Sequence, residues 1–181
     1  MELSPRTICL LGLLIVATIT DLKQHKIYNW TTYPGILLAF GLSIALQGWE
    51  GFQASLVGFL ICGVSMVVCF ALFDIGGGDV KLIAMMGAFL GIMDGIEAML
   101  WTFILGSVMG MVILIWKFGV IHLIRKSTHH VWLMMKARGW INPTPDEREP
   151  LQRWLFLAPA ALAATLIVIS KSWLAQQGII Y

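Results

Sequence analysis

Long apolar segments separated by short polar breaks limit, more than any other feature, how this chain can fold. The segments lie at 7–20, 33–47, 53–73, 80–93, 96–117 and 154–172. A helix needs roughly 20 residues to cross the ~30 Å hydrocarbon core of a bilayer, so 181 residues leave room for about six crossings. With 59% apolar and only 12% charged residues, the composition also excludes an ordinary soluble domain. The sequence therefore predicts an all-α membrane bundle of about six transmembrane helices, forming one domain over residues 1–181.

The first apolar segment is expected to stay in the protein as a membrane helix. Only Arg6 precedes it as a basic residue, and it ends in Thr20 and Asp21 without the small-residue site at which signal peptides are cleaved. The three cysteines also fall in apolar segments and form no CxxC pair, so we expect them to be small core residues, namely Cys9, Cys62 and Cys69.

Basic residues are distributed unevenly between the two sides that these segments define. Arg6 and Lys171 fall on one side. The other ten fall on the opposite side: Lys23, Lys26, Lys81, Lys117, Arg125, Lys126, Lys136, Arg138, Arg148 and Arg153. Because cytoplasmic loops are enriched in Lys and Arg, we expect both termini outside and the segments 21–32, 74–80 and 118–153 in the cytoplasm.

Residues 118–153 differ from the predicted spans. Apolar and basic side chains alternate along 118–138, which predicts an amphipathic helix lying on the cytoplasmic membrane surface. Residues 139–150 contain three prolines and several charges, which indicates a polar linker. A lipid surface accounts for these basic residues better than a nucleic acid does, so we expect lipid contacts and no nucleic-acid partner.

Two carboxylates mark the predicted cytoplasmic membrane edge. Asp21 ends the first segment, and Asp79 follows Gly76, Gly77 and Gly78. Three glycines weaken a helix and bring backbone within reach of other groups, so an extended substrate could lie beside Asp79. A second interpretation makes Asp79 a helix N-cap. Placement at the membrane boundary alone would also account for Asp21, although a negative charge at a helix C-terminus opposes the helix dipole.

A pair of aspartates sharing one proton can hydrolyse a peptide bond without a metal ion or a covalent nucleophile. The ionised aspartate takes a proton from water while the protonated one polarises the scissile carbonyl. Because both candidates are predicted on the same side of the membrane, Asp21 and Asp79 are the predicted catalytic residues of an aspartic protease.

These residues resemble the type IV prepilin peptidases, a family of GxGD membrane aspartic proteases. The GxGD signature and its continuation are matched by Gly76, Gly77, Gly78, Asp79, Val80, Lys81 and Leu82. In the family the other catalytic aspartate follows the first helix of the peptidase region and precedes an Ile-Pro-Asn element. Asp21 here precedes Ile27, Tyr28 and Asn29, with tyrosine where the family often has proline. The resemblance covers roughly residues 7–118, and Gly87 and Gly91 also fit its pattern.

The resemblance implies an endopeptidase that removes the leader from prepilin or pseudopilin substrates at the cytoplasmic edge of the bacterial inner membrane. Components of a pilus or secretion assembly are further expected partners. The substrate-binding candidates are Gly76, Gly77, Gly78, Lys81 and Asn29. The chain has no N-terminal domain with paired CxxC motifs, so it resembles the small, peptidase-only branch serving Flp or Tad-type pili, and methyl transfer is not expected.

Several residues keep a second interpretation. Asp74 is either a third carboxylate of the site or a boundary residue that pairs with a base such as Lys81. Lys81 itself is either a membrane anchor or a group that tunes the aspartates or meets an acidic substrate residue, and Asn29 either positions substrate or caps the second helix. Adjacent His129 and His130 would point to different helix faces, so no metal site and no cofactor are predicted.

Two other functions compete with proteolysis. In a small transporter or channel, Asp21 and Asp79 would be ion or proton sites within the membrane, and the carboxylates would lie near the bilayer midplane. The other alternative is a catalytically silent assembly subunit of a pilus or secretion system, although the presence of both aspartates argues against it.

Overall fold

The protein is a bundle of α-helices. A computed structural model describes residues 4–73, 76–118 and 157–176, and every element in these ranges is helical. In chain order the helices are α1 (Pro5–Gln24), α2 (Asn29–Phe73), α3 (Gly77–Leu90), α4 (Ile92–Phe118) and α5 (Leu157–Gln176). The described residues up to Gly106, together with α5, belong to one compact unit, and the part of α4 from Ser107 onward belongs to another. The candidate site lies within the first unit.

Four of the described helices, all except α3, are long and apolar enough to cross a membrane. The all-helical, multi-pass membrane architecture predicted from the sequence is therefore confirmed. The count of six crossings and the single-domain organisation stay predictions. The predicted surface helix and linker lie beyond Phe118, outside the described residues.

Helix α2 folds back on itself at Gly48. This residue has φ 63° and ψ −144°, a conformation that glycine adopts without the steric cost of a Cβ atom. The Phe40 ring centroid lies 5.6 Å from that of Phe52 and 5.8 Å from that of Phe59, whereas a straight helix would separate Phe40 and Phe59 by about 28 Å. The break expected between the second and third apolar segments is thus confirmed, and α2 has a first arm (29–47) and a second arm (49–73).

Helix α3 lies at the centre of the bundle. Its residues 82–89 are all buried, and a helix that is apolar on every side belongs in a protein interior. It packs against α1, α2 and α5. A Cβ atom added to Gly58 would lie 2.3 Å from the carbonyl oxygen of Gly87, and one added to Gly87 would lie 2.5 Å from that of Gly58. The backbones of α2 and α3 are therefore in direct contact, as is common where small residues meet in membrane bundles.

The outer surface of the bundle carries large apolar side chains. Leu37, Leu72 and Met93 are each at least 70% exposed, which suits contact with lipid rather than with water. Two buried hydroxyls are satisfied within their own helices, since Ser43 and Thr102 each donate to the carbonyl four residues earlier. This arrangement removes the cost of unpaired polar groups in an apolar medium.

One predicted helix boundary was wrong. The sequence placed the break between the fourth and fifth segments at Asp94 and Gly95, but the chain turns at Gly91, whose φ is 81°. Helix α4 begins at Ile92, and Asp94 lies in its first turn. Asp94 and Gly95 therefore belong to a helix start, where Asp is favoured by the helix dipole.

The bundle has two polar ends. At the aspartate end, the end of α1 meets the starts of α2, α3 and α5, through the residues Asp21, Asn29, Asp79 and Ala158. At the arginine end, Arg6 at the start of α1 reaches Gln47 beside the α2 turn and Ala88 near the end of α3. Lys171 near the end of α5 pairs there with Glu97 near the start of α4.

Candidate active site

Asp21 lies in the last turn of α1 and is 6% exposed. Its Oδ2 accepts a hydrogen bond of 3.2 Å from the backbone N–H of Ala158, the second residue of α5. The first N–H groups of a helix lack helical acceptors, and the helix dipole there favours an anion. The N-terminus of α5 therefore compensates for the unfavourable position of this carboxylate at the C-terminus of α1.

Asp79 lies in the first turn of α3 and is half-buried. The N-cap of α3 is Gly76, so the interpretation of Asp79 as the N-cap is wrong. The backbone N–H of Gly76 donates to the Asp79 carboxylate, and the N–H of Asp79 donates to the Gly76 carbonyl at 3.0 Å. This reciprocal pair resembles a capping box, in which the third helical residue reaches back to the N-cap.

The two carboxylates are neighbours. Asp79 lies outside the four candidate spans, and its pKa is raised from the ordinary 3.8 to about 7. Burial is the largest cause of this rise, because it disfavours the charged form, and the negative charge of Asp21 adds to it. The hydrogen bond from Gly76 acts in the opposite direction. Near pH 7 Asp79 is therefore protonated in about half of the molecules, so the singly protonated pair that acid–base catalysis by two aspartates needs is well populated.

The three glycines before Asp79 have three different surroundings. A Cβ added to Gly76 would lie 2.9 Å from Asp79 Oδ2, and one added to Gly78 would lie 3.0 Å from Ile27 Cβ. Among the described residues, no atom lies within 4 Å of a Cβ added to Gly77. Gly78 thus lets α3 approach the linker between α1 and α2, whereas Gly77 is not packed against another described element.

Lys81 and Asn29, two predicted substrate-binding residues, are in contact. Lys81 Nζ donates a hydrogen bond of 2.8 Å to Asn29 Oδ1 and lies 5.1 Å from the centroid of the Tyr33 ring. The Asn29 and Tyr33 side chains are neutral, and both residues belong to the first two turns of α2. The contact joins the starts of α2 and α3 and holds a positive charge two residues after Asp79.

The structure brings together all seven residues predicted for the site, since they lie at the meeting ends of α1, α2 and α3. Asp74 lies outside the described residues, so its role stays a prediction. No group of three or more metal-ligating side chains occurs in the described part of the chain. The chemical groups of the site in these ranges include two interacting carboxyl groups, those of Asp21 and Asp79.

Sequence reasoning missed two neighbours of Asp21. Ala158 contributes only a backbone N–H, and no sequence pattern marks that group as a ligand. His25 has φ 52°, its N–H donates to the carbonyl of Asp21 at 2.8 Å, and its side chain is within electrostatic range of the Asp21 carboxylate. A spacing of four residues could have indicated this second contact, because such residues are neighbours on a helix surface.

Comparison with known proteins gives one match. A sequence model of the type IV leader peptidase family matches residues 8–115. The matched segment includes Asp21 and Asp79 and ends before α5 begins. No curated protein and no solved structure matches the chain.

Proposed function

The chain belongs to the type IV leader peptidase family, and from this we propose that it is a membrane aspartic endopeptidase that removes the leader from prepilin-like or pseudopilin substrates. The observation that carries the proposal is the pairing of Asp21 with Asp79, where burial and, to a smaller extent, the charge of Asp21 raise the pKa of Asp79 to about 7. Perturbed carboxyl groups of this kind are typical of catalytic sites.

The proposed reaction needs one proton on the pair. Ionised Asp21 takes a proton from a water molecule, whose oxygen attacks the scissile carbonyl carbon. Protonated Asp79 hydrogen-bonds to the carbonyl oxygen and gives it a proton as the tetrahedral intermediate forms. The C–N bond then breaks as Asp21 gives the proton it took from water to the leaving nitrogen. One hydroxyl of the tetrahedral intermediate returns a proton to Asp79, so the pair again holds one proton for the next cycle.

The substrate segment is proposed to lie beside Gly77, two residues before Asp79. In support of this, no atom of the described residues lies within 4 Å of a Cβ added there. Lys81, held by Asn29 and Tyr33, supplies a positive charge at the same end of α3. An apolar helix of the substrate can stay in lipid while its junction with the leader reaches the carboxylates. We therefore propose a single cut just before the apolar segment of the substrate.

The positions of the two aspartates at helix ends favour proteolysis over ion transport. Asp21 lies in the last turn of α1 and Asp79 in the first turn of α3, whereas a transport site is expected near the middle of spanning helices. A peptidase needs its carboxylates where a water-soluble leader can reach them.

Cleavage of a purified prepilin in detergent tests the proposal. The wild type is expected to yield one product of defined mass in the presence of a chelator, and Asp21→Asn and Asp79→Asn are expected to yield none. Asp94→Asn is the matched control, because this carboxylate lies in the first turn of α4. Cleavage that survives both substitutions, or that a chelator abolishes and zinc restores, would contradict the aspartic mechanism.

The orientation is also a proposal: the aspartate end faces the cytoplasm of a bacterium and the chain lies in the inner membrane. Lys26→Cys and Glu50→Cys place single thiols in the α1–α2 linker and beside the Gly48 turn, on a background with the native cysteines replaced by alanine. A membrane-impermeant thiol reagent applied outside is expected to label only the Glu50→Cys protein. Labelling of the Lys26→Cys protein instead would reverse the orientation.

A further inference from the structure

The start of α5 forms a buried contact with Asp21. Ala158 is fully buried and Asp21 is 6% exposed, and the bond between them joins residues 137 positions apart. Ala158 N–H belongs to the first helical turn, so no carbonyl of the same helix competes for it. A hydrogen bond to a carboxylate out of water is worth more than one at the surface.

This contact comes from outside the segment that the family model matches. That segment ends at residue 115, whereas α5 begins at Leu157. The part of the chain that carries the family's sequence pattern thus contains both carboxylates but lacks the donor that holds one of them.

Resting on the function proposed above, we infer that α5 is a positioning element of the active site, in which the Ala158 N–H fixes the Asp21 side chain and favours its ionised form. A donor on Oδ2 stabilises the negative charge and leaves Oδ1 to take the proton from water. The shared proton is then directed to Asp79, so the two carboxylates have different roles before the substrate arrives.

Two substitutions of Ala158 distinguish the effect of its backbone N–H from the effect of its side chain. Ala158→Pro removes the N–H, and proline is tolerated in the first turn of a helix. Ala158→Gly keeps the N–H. We expect Ala158→Pro to lower kcat roughly 10- to 100-fold, the range for one hydrogen bond to a charged group, while KM changes less than about twofold. Ala158→Gly is expected to stay within about threefold of the wild type.

The pH profile distinguishes positioning from a merely structural role. Without the donor, the ionised form of Asp21 is less stable, so the acid-side midpoint of kcat is expected to move to higher pH. The titratable groups that face Asp21, namely Asp79 on α3 and His25 after α1, are unchanged in both variants. Ala158→Gly is expected to keep the wild-type midpoint.

If proline disturbs the fold, an amide-to-ester replacement at Ala158 tests the inference instead, because it removes the N–H and keeps the side chain. The same replacement at Ala161, in the next turn, costs one helical hydrogen bond and is the matched control. An equal loss of activity from both esters, or an unchanged acid-side midpoint at Ala158, would overturn the inference. A wild type that cleaves nothing, or Asp21→Asn and Asp79→Asn variants that still cleave, would instead overturn the proposed function.

Discussion

The two ends of the bundle hold their charges in opposite ways. At the arginine end, Lys171 lies 2.7 Å from Glu97, and Arg6 donates to Gln47 and to the carbonyl of Ala88. At the aspartate end, two groups of the same charge type face each other, and one raises the pKa of the other.

This difference separates a structural site from a functional one. Opposite charges or neutral acceptors lower the energy of the folded chain, whereas two neighbouring carboxyl groups cannot both ionise without cost. A protein keeps such an arrangement at a site whose chemistry needs it, and natural proteins commonly accept local instability there. The aspartate end is therefore where substitutions should affect activity, and the arginine end is where they should affect stability alone.

The largest expected effect is non-additive loss of cleavage at the aspartate end. Asp21→Asn and Asp79→Asn should each lower single-turnover cleavage by roughly 10³-fold or more, and the double variant should lose no more than either single one, because the carboxylates act as one unit. Rates measured with excess enzyme check this. Losses that multiply in the double variant would mean that the residues act independently.

The next effect is a fall in activity on the alkaline side. The pKa of Asp79 is raised to about 7, so above this pH the pair loses its shared proton and kcat/KM should fall about tenfold per pH unit. A pH–rate profile of the wild type, taken with a buffer series at constant ionic strength, measures it. A profile that stays flat up to about pH 9 would contradict a catalytic proton on Asp79.

A smaller effect concerns stability. Because the pKa of Asp79 is higher in the folded protein than its ordinary value of 3.8, the folded chain holds the proton more tightly and loses stability as pH rises from about 4 to 7. Asp79→Asn should therefore raise Tm relative to the wild type by a few degrees at pH 8 and by much less at pH 4. Thermal unfolding in detergent at both pH values provides the measurement. Glu50→Gln, at an exposed carboxylate beside the Gly48 turn, serves as the control.

The smallest effect is expected at the arginine end. The Lys171 and Glu97 side chains are 56% and 31% exposed, and ion pairs of this kind contribute at most about 1 kcal/mol. Glu97→Gln should leave cleavage and its pH profile unchanged and lower the free energy of unfolding by less than that amount. A change in the pH profile would show that the arginine end affects the aspartate pair. The assignment of stability to one end and activity to the other would then be wrong.

The sequence predicted the parts of the fold that depend on hydropathy and glycine. The gap between residues 47 and 53 indicated the turn that the structure places at Gly48, and alternation of the spans put Asp21 and Asp79 at one end of the bundle. Gly91 was passed over because Asp94 and Gly95 looked like the stronger break. The position of the turn between α3 and α4 depends on which glycine adopts a positive φ, and this choice is determined by tertiary packing.

The contact between Ala158 and Asp21 could not be predicted for a different reason. Every residue except proline carries the same backbone N–H, so the donor has no sequence signature. Its role follows from the position of α5 in the bundle, which the apolar pattern of residues 154–172 does not specify. The alternative interpretation of Asp79 as an N-cap was wrong by three residues, because Gly76 is the N-cap and α3 begins at Gly77.

The distance in sequence between Asp21 and Ala158 also has a consequence for biosynthesis. A ribosome adds about 5–20 residues per second, so Ala158 is made roughly 7 to 27 s after Asp21, given their separation of 137 positions. During that interval both carboxylates have been translated, but the helix that holds one of them has not. With the role inferred for α5, the nascent chain lacks the group that fixes Asp21 until its last described helix joins the bundle, so incomplete chains are expected to cleave more slowly than the finished protein.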